Sequence, residues 1–286
     1  MIQMPIGWSW DRLRVAAHTI GSSRDEEYWP GQVRRRAVPA PRRIGLSDLT
    51  YALRRGLEDF QANRTDVIFL CLLYPAAGLV LWGLASGYGL LPLVFPLASG
   101  FSLLGPVAGL GLYEMSRRRE RGLETSWLDA FRVLRSPSIG AITLLGLTLA
   151  VLYLLWLFAA DVIYLSTLGP NPPQSAGAFL RAVFTTGEGW IMIVAGVATG
   201  FVFAVVVLAI SVVSFPLLLD RDLSVDAAVS VSIRSVQANP GPLAVWGLIV
   251  TAGLVIGTLP FLLGLVIVLP VLGHATWHLY RRLIPD

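Results

Sequence analysis

The sequence predicts an all-α polytopic membrane protein: a six-helix transmembrane bundle built of three units, each an interfacial helix followed by a hairpin of two spans. Three observations carry this prediction. Apolar runs of about 20 residues with almost no charge recur along the chain, which is the length that crosses a bilayer's hydrocarbon core. Charged residues make up 14% of the sequence and apolar ones 55%, against about 25% and 45–50% in soluble domains. All 22 basic residues are Arg, and 21 of them fall on one side of the expected spans. That asymmetry sets topology and places both termini in the cytoplasm.

Residues 1–45 read as a cytoplasmic Arg/Pro-rich extension. Trp10, Leu13, Ala17 and Ile20 form one stripe at helical spacing, consistent with a short surface helix. The stretch from Ser22 to Arg43 has too little apolar surface to fold alone. Residues 1–11 lack the apolar core of a secretory signal peptide. Residues 46–286 form the membrane domain, with spans expected near 66–86, 90–113, 139–164, 190–213, 243–258 and 261–279. The last two together are too long for one crossing, and Gly257, Thr258 and Pro260 mark a tight hairpin between them.

Each pair of spans is preceded by a short amphipathic helix, near 47–63, 126–135 and 224–239. The first sets Leu49, Leu53, Leu57 and Phe60 on one face; the second, Trp127, Phe131 and Leu134; the third, Val225, Val229, Ser232 and Val236. All three open alike. Ser47 with Asp48, Ser126 with Asp129, and Ser224 with Asp226 supply a hydroxyl at the N-cap and a carboxylate in the first turn. The spans repeat too: Pro106 to Gly109 followed by Arg117 and Arg118 matches Pro270 to Gly273 followed by Arg281 and Arg282. Small-residue pairs at Gly83/Gly87, Gly105/Gly109, Gly196/Gly200 and Gly253/Gly257 allow close helix approach in lipid.

The Arg-rich extension, the helix from Leu46-Ser47-Asp48 to Gln61-Ala62-Asn63, and Gly105-Pro106 before Tyr113-Glu114 together resemble the bacterial integral membrane proteins grouped as DUF2189. The resemblance spans about residues 40 to 280 and implies the fold and the inner (cytoplasmic) membrane, but no activity. In plan, the interfacial-helix-plus-hairpin unit also resembles the membrane domain of some glycerophosphodiester phosphodiesterases. Nothing in the chain resembles their catalytic domain.

Candidate chemistry is sparse. His274 and His278 share a helix face at i, i+4 spacing, as a metal-binding pair would. No third ligand accompanies them, and Trp277 and Tyr280 beside them suit an interfacial aromatic belt. Asp161 stands near the far end of the third span, where it could cap the interface or line an outward pocket. Glu114 with Arg117, Arg118 and Arg119 could hold an anionic lipid headgroup. Asp220, Asp222 and Asp226 miss the Gly and Glu of a calcium loop. The single Cys, Cys71, excludes an intrachain disulfide or thiolate cluster. No catalytic residues, cofactor or resident metal are expected, nor a nucleic-acid partner, because the Arg residues flank spans. The reading is a non-enzymatic accessory, assembly or regulatory membrane module with the bilayer and a membrane protein as partners. The alternative is a transporter or channel for a small or lipid-like solute.

Overall fold

A computed structural model describes residues 38–62, 83, 91–173, 175–259 and 262–285. Every regular element among them is helical. The N-terminal residues before 38 and all of the first expected span, 66–86, but residue 83 lie outside the described residues, as does Gly87 of the first small-residue pair.

The elements are α1 (Leu46–Ala62), α2 (Val94–Phe101), α3 (Gly105–Ala108), α4 (Leu110–Glu120), a 3-10 helix (Trp127–Arg135), α5 (Ile139–Thr167), α6 (Ala176–Thr185), α7 (Gly187–Ser211), α8 (Ser214–Asp220), α9 (Val225–Ala238), α10 (Pro240–Thr258) and α11 (Leu265–Leu283), with short 3-10 turns flanking α2. Four stretches are long and apolar enough to cross a membrane: Phe95–Glu120, Ile139–Thr167, Gly187–Asp220 and Pro240–Thr258. α11 occupies the place of the sixth expected span. It is not among the four, because its second half carries two His and two Arg.

The three amphipathic helices form near their expected bounds. At the second, Ser126 and Asp129 make the reciprocal capping box. At the first, the Gly45 N–H donates to Asp48 Oδ2 at 2.9 Å. At the third, Ser224 stands at the N-cap without a side-chain bond.

Their buried faces differ from the apolar stripes. α1 turns inward Asp48, Leu49, Ala52, Gly56, Asp59 and Phe60, while Leu57 is exposed. α9 buries Ala228, Val231, Ser232 and Ser235, and its valines at 225, 229 and 236 are half-buried against the core. The second helix is 3-10 rather than α. Three residues per turn then bring Leu128 into line with Phe131 and Leu134, and all three are exposed.

Small side chains decide the first face. α1 makes the most extensive helix contact among the described residues with α11, through Gly56. A Cβ there would stand 2.6 Å from the Ala275 N and 2.7 Å from the Val271 O. Asp48 meets Arg282 while Gly56 meets Val271 and Ala275, so the two helices run in opposite directions.

Elsewhere Gly100 of α2 lies against Tyr153 and Trp156 of α5, Gly200 of α7 against Trp156, and Gly253 of α10 against Val268 and Leu272 of α11. Gly257 abuts Gly264 across the turn between α10 and α11, where Leu262 takes a positive φ of 67°. The matched segments 94–120 and 265–283 differ in form. The first is broken by short turns between α2 and α4, whereas the second is continuous through Pro270.

The 187–220 stretch breaks between Ser211 and Ser214. Pro216 two residues into α8 cannot donate to the helix ladder, and its ring crowds the carbonyl four residues back. The Val213 N–H donates instead to Ser232 Oγ of α9 at 3.3 Å. The outer faces of α5 (Leu147, Val151, Leu154, Phe158) and α7 (Val194, Val197, Phe201) stay exposed, as surfaces that meet acyl chains do.

A methyl group at position 56 should force α1 off α11. We expect Gly56→Ala to lower stability by about 1–3 kcal/mol, the range for overpacking a tight contact. Gly196→Ala, whose Cβ would meet no described residue within 4 Å, should be neutral. Thermal unfolding of both in detergent checks this; equal melting temperatures would refute the close-contact account.

Candidate functional site

Four polar side chains from three distant parts of the chain converge where α1, α4 and α11 meet. Asp59 comes from the last turn of α1, Ser116 from α4, and His274 and His278 from α11. Helical spacing puts the two His on one face, and the small residues at 52, 56 and 275 bring α1 close enough for Asp59 to reach them. All four are shut in: Asp59 is 3% exposed, Ser116 1%, His274 0% and His278 5%.

The hydrogens can be assigned by counting. Ser116 Oγ lies 2.6 Å from Asp59 Oδ2, to which it donates its single proton. It also lies 2.7 Å from His274 Nδ1, so that nitrogen carries a proton and donates to the serine oxygen. The Leu112 carbonyl also accepts from the His274 ring, while Nε2 meets no well-aligned hydrogen-bond partner among the described residues. His278 Nε2 donates to Asp59 Oδ2 at 2.8 Å, and Arg119 Nε approaches Asp59 Oδ1 at 3.5 Å. Burial alone would raise the Asp59 carboxyl. The hydrogen bonds from His278 and Ser116, with the charge interactions of the two imidazoles, outweigh burial and hold it below the usual carboxylate range.

This order is not that of an activated nucleophile. A nucleophilic serine gives its proton to an imidazole that a carboxylate orients, whereas Ser116 gives its proton to the carboxylate and receives one from the imidazole. The two His face different partners. His274 directs Nδ1 at Ser116 and His278 directs Nε2 at Asp59, and the described residues contain no group of three or more side chains that could hold a metal ion. What the arrangement does chemically is fasten α1 and α4 to α11.

A second polar layer surrounds the end of α11. Arg282 Nε donates to Asp48 Oδ1 at 2.6 Å, and its guanidinium lies 5.2 Å from the Tyr51 ring centroid. Asp220 of α8 accepts from Tyr280 Oη at 2.9 Å and Arg281 at 3.2 Å, with Arg121 at 3.4 Å. Glu120 accepts from Arg281 at 3.0 Å and from Trp277 Nε1 at 3.2 Å. Asn239, after α9, takes the Ile44 N–H on Oδ1 at 2.7 Å and donates Nδ2 to the Arg42 carbonyl at 3.0 Å. The segment before α1 is thereby held.

The other sequence candidates stand apart from this cluster. Glu114 is buried, with Oε2 2.7 Å from Arg117 Nη2 in an ion pair whose alignment is not that of a hydrogen bond. Arg117 donates to the Leu219 carbonyl, Arg118 to the Glu124 carbonyl and Arg119 to the Glu58 carbonyl. Each expected lipid-binding arginine is therefore engaged within the protein. Asp161 is half-buried late in α5 and makes no hydrogen bond or ion pair with a described residue. Sequence reading found the His pair and missed Asp59 and Ser116. The signal for Asp59 was there: Asp48, Ala52, Gly56 and Asp59 recur at helical spacing as a small-and-acidic stripe beside the leucines. Ser116 left none.

Asp59→Asn should destabilise the protein by about 2 kcal/mol at neutral pH, since charge-assisted bonds to a buried group are lost. A carboxyl held below its unfolded value, about 3.9, contributes stability above that pH and loses it as pH falls through the folded value. The difference between wild type and Asp59→Asn should therefore be full at pH 6–7 and shrink below about pH 4. Melting curves across this range check it; a constant gap would refute the assignment.

No curated protein and no solved structure matches the chain significantly. A family model does match, over a narrower stretch than the sequence resemblance suggested, running from the start of α2 to the end of α8. With four apolar stretches long enough to cross a membrane, the chain is an integral membrane protein, matched over residues 94–220 by the family described as predicted integral membrane protein (DUF2189).

Proposed function

We propose that the chain is a non-enzymatic accessory or regulatory module of a bacterial inner membrane, with its Arg-rich side and both termini in the cytoplasm. One observation carries this reading. The side chains best equipped for chemistry, Asp59, Ser116, His274 and His278, are each at most 5% exposed and are bonded to one another. They hold helices together and present no reacting atom to a substrate. The charge distribution supports the orientation: the arginines at 42, 117–121 and 281–282 gather around the end of α11, and Arg181 lies beyond α5 on the far side.

A second reading, passage of a small or lipid-like solute, is favoured by an open hollow of about 590 Å3. It is lined by Ser175, Ala178, Arg181, Ala182, Thr185 and Thr186.

The accessory reading predicts a partner at near-equal stoichiometry when the tagged chain is extracted in mild detergent at native expression. Deleting residues 1–37 should remove that partner yet leave insertion intact, because the contacts of Arg42 and Ile44 with α11 and Asn239 remain. Recovery of the chain alone would shift the weight to transport.

A further inference from the structure

The connection between α5 and α7 carries the short helix α6, whose three faces differ. Phe179 and Val183 turn inward: the Phe179 ring meets Tyr164 of α5 at 6.4 Å between centroids, and Val183 is buried. Leu180 and Phe184, one turn apart, form an outward apolar stripe and are 56% and 59% exposed. A third line, Ala178, Arg181 and Thr185, runs beside that stripe at helical spacing. Ser175, Gly177, Ala178 and Ala182 are small, and the room they leave around Arg181 is the open hollow of about 590 Å3.

Three observations say what fills the hollow. The first is charge. The exposed Arg181 guanidinium bonds to no described residue, and the acids on the adjoining helices, Asp161 and Glu188, do not pair with it. The second is the set of free donors. The Thr185 and Thr186 hydroxyls spend their protons on the Arg181 and Ala182 carbonyls, each at 2.7 Å. Ser175 Oγ accepts the Ala178 N–H at 3.2 Å and keeps its own proton to give. Arg181 and Ser175 therefore supply the donors, and a guanidinium fork matches the oxygens of a phosphate. The third is position. α5 has 29 residues, about 43 Å at 1.5 Å rise per residue, so α6 lies across the bilayer from the Arg-rich end of α11. Trp190 and Ile191, 55% and 60% exposed, open α7 beside it. An apolar stripe with an Arg at its edge is the pattern of a helix lying in the headgroup–acyl boundary, where basic residues attract anionic lipids.

We propose that the hollow beside α6 is a headgroup site for an anionic phospholipid of the adjoining leaflet, its phosphate on Arg181 and Ser175 and its acyl chains along Leu180, Phe184 and the start of α7. This places lipid recognition at the opposite face of the membrane from Arg117, Arg118 and Arg119, which are engaged within the protein. A lipid held by its headgroup stays in its leaflet, so the assignment stands independently of both the accessory reading and passage of a solute.

The test uses the full chain carrying Phe184→Cys in a Cys71→Ser background, Cys71 being the only cysteine, labelled with a small fluorophore and placed in phosphatidylcholine nanodiscs. Phosphatidylglycerol or phosphatidylcholine bearing a nitroxide near its glycerol quenches the label when it lies beside it; Leu180→Cys gives the same readout one turn away. At equal mole fraction phosphatidylglycerol should quench several-fold more effectively, and Arg181→Gln should make the two lipids equivalent. Equal quenching with Arg181 present, or a preference that survives Arg181→Gln, would overturn the proposal. Loss of the preference on adding glycerol phosphate, but not sodium chloride of the same ionic strength, would also overturn it, in favour of a soluble phosphate ester. Because Arg181 bonds to no described residue, Arg181→Gln should melt with the wild type; a lowered melting temperature would overturn the headgroup assignment in favour of a structural role.

Discussion

The approach of α1 to α11 at Gly56 is the contact on which the polar architecture rests. Within lipid, apolar burial does not discriminate between one helix pairing and another, because acyl chains are as apolar as leucine; packing and hydrogen bonds supply the register. Gly56 lets the α1 backbone come against Ala275 and Val271, and only at that separation can Asp59 reach both His278 and Ser116. Eleven residues earlier Asp48 meets Arg282. At 1.5 Å rise per residue the two carboxylates lie about 16 Å apart along α1. They bracket the close contact, so a shift of one turn would break both pairs at once.

A carboxylate moved out of water is costly unless charge and donors meet it. Asp48, Asp59, Asp129 and Asp220 each have an Arg or His partner, and several have more. The arginines that the sequence gathers on one side of its expected spans are thus not a loose fringe. Arg117 closes on the end of α8, Arg119 on the end of α1, and Arg281 bridges Glu120 and Asp220. One set of residues serves both charge asymmetry and tertiary bonding, so the number of Arg alone says little about which of them faces a lipid headgroup.

Helix class, the places of the three short amphipathic helices and the turn before α11 were legible, because apolar length, Ser/Asp openings and Gly are local signals. Which face each short helix buries was not. The leucine stripe of α1 is adjacent to the face that docks, and it loses Leu57 to the surface, because close approach favours Ala52 and Gly56 over larger side chains. At 127–135 the 3-10 winding regroups the residues, a change that apolar spacing tuned to 3.6 residues per turn does not register. Of the site, the spacing of His274 and His278 was visible, but their use depends on Asp59 and Ser116, over 150 residues away in sequence. The Ser116 link has no local pattern at all. Glu114 and Asp161 stood out as acids in or near apolar runs, yet the first is answered by Arg117 one turn on and the second lies outside the polar cluster.

This partition bears on where recognition resides. The buried imidazole of His274 belongs to a network in which Ser116, His278 and Arg119 together meet the Asp59 carboxylate. Opening that network to a substrate would undock α1 from α11, the most extensive helix contact among the described residues. Recognition through outward surfaces carries no such cost, since exposed side chains lie outside this network.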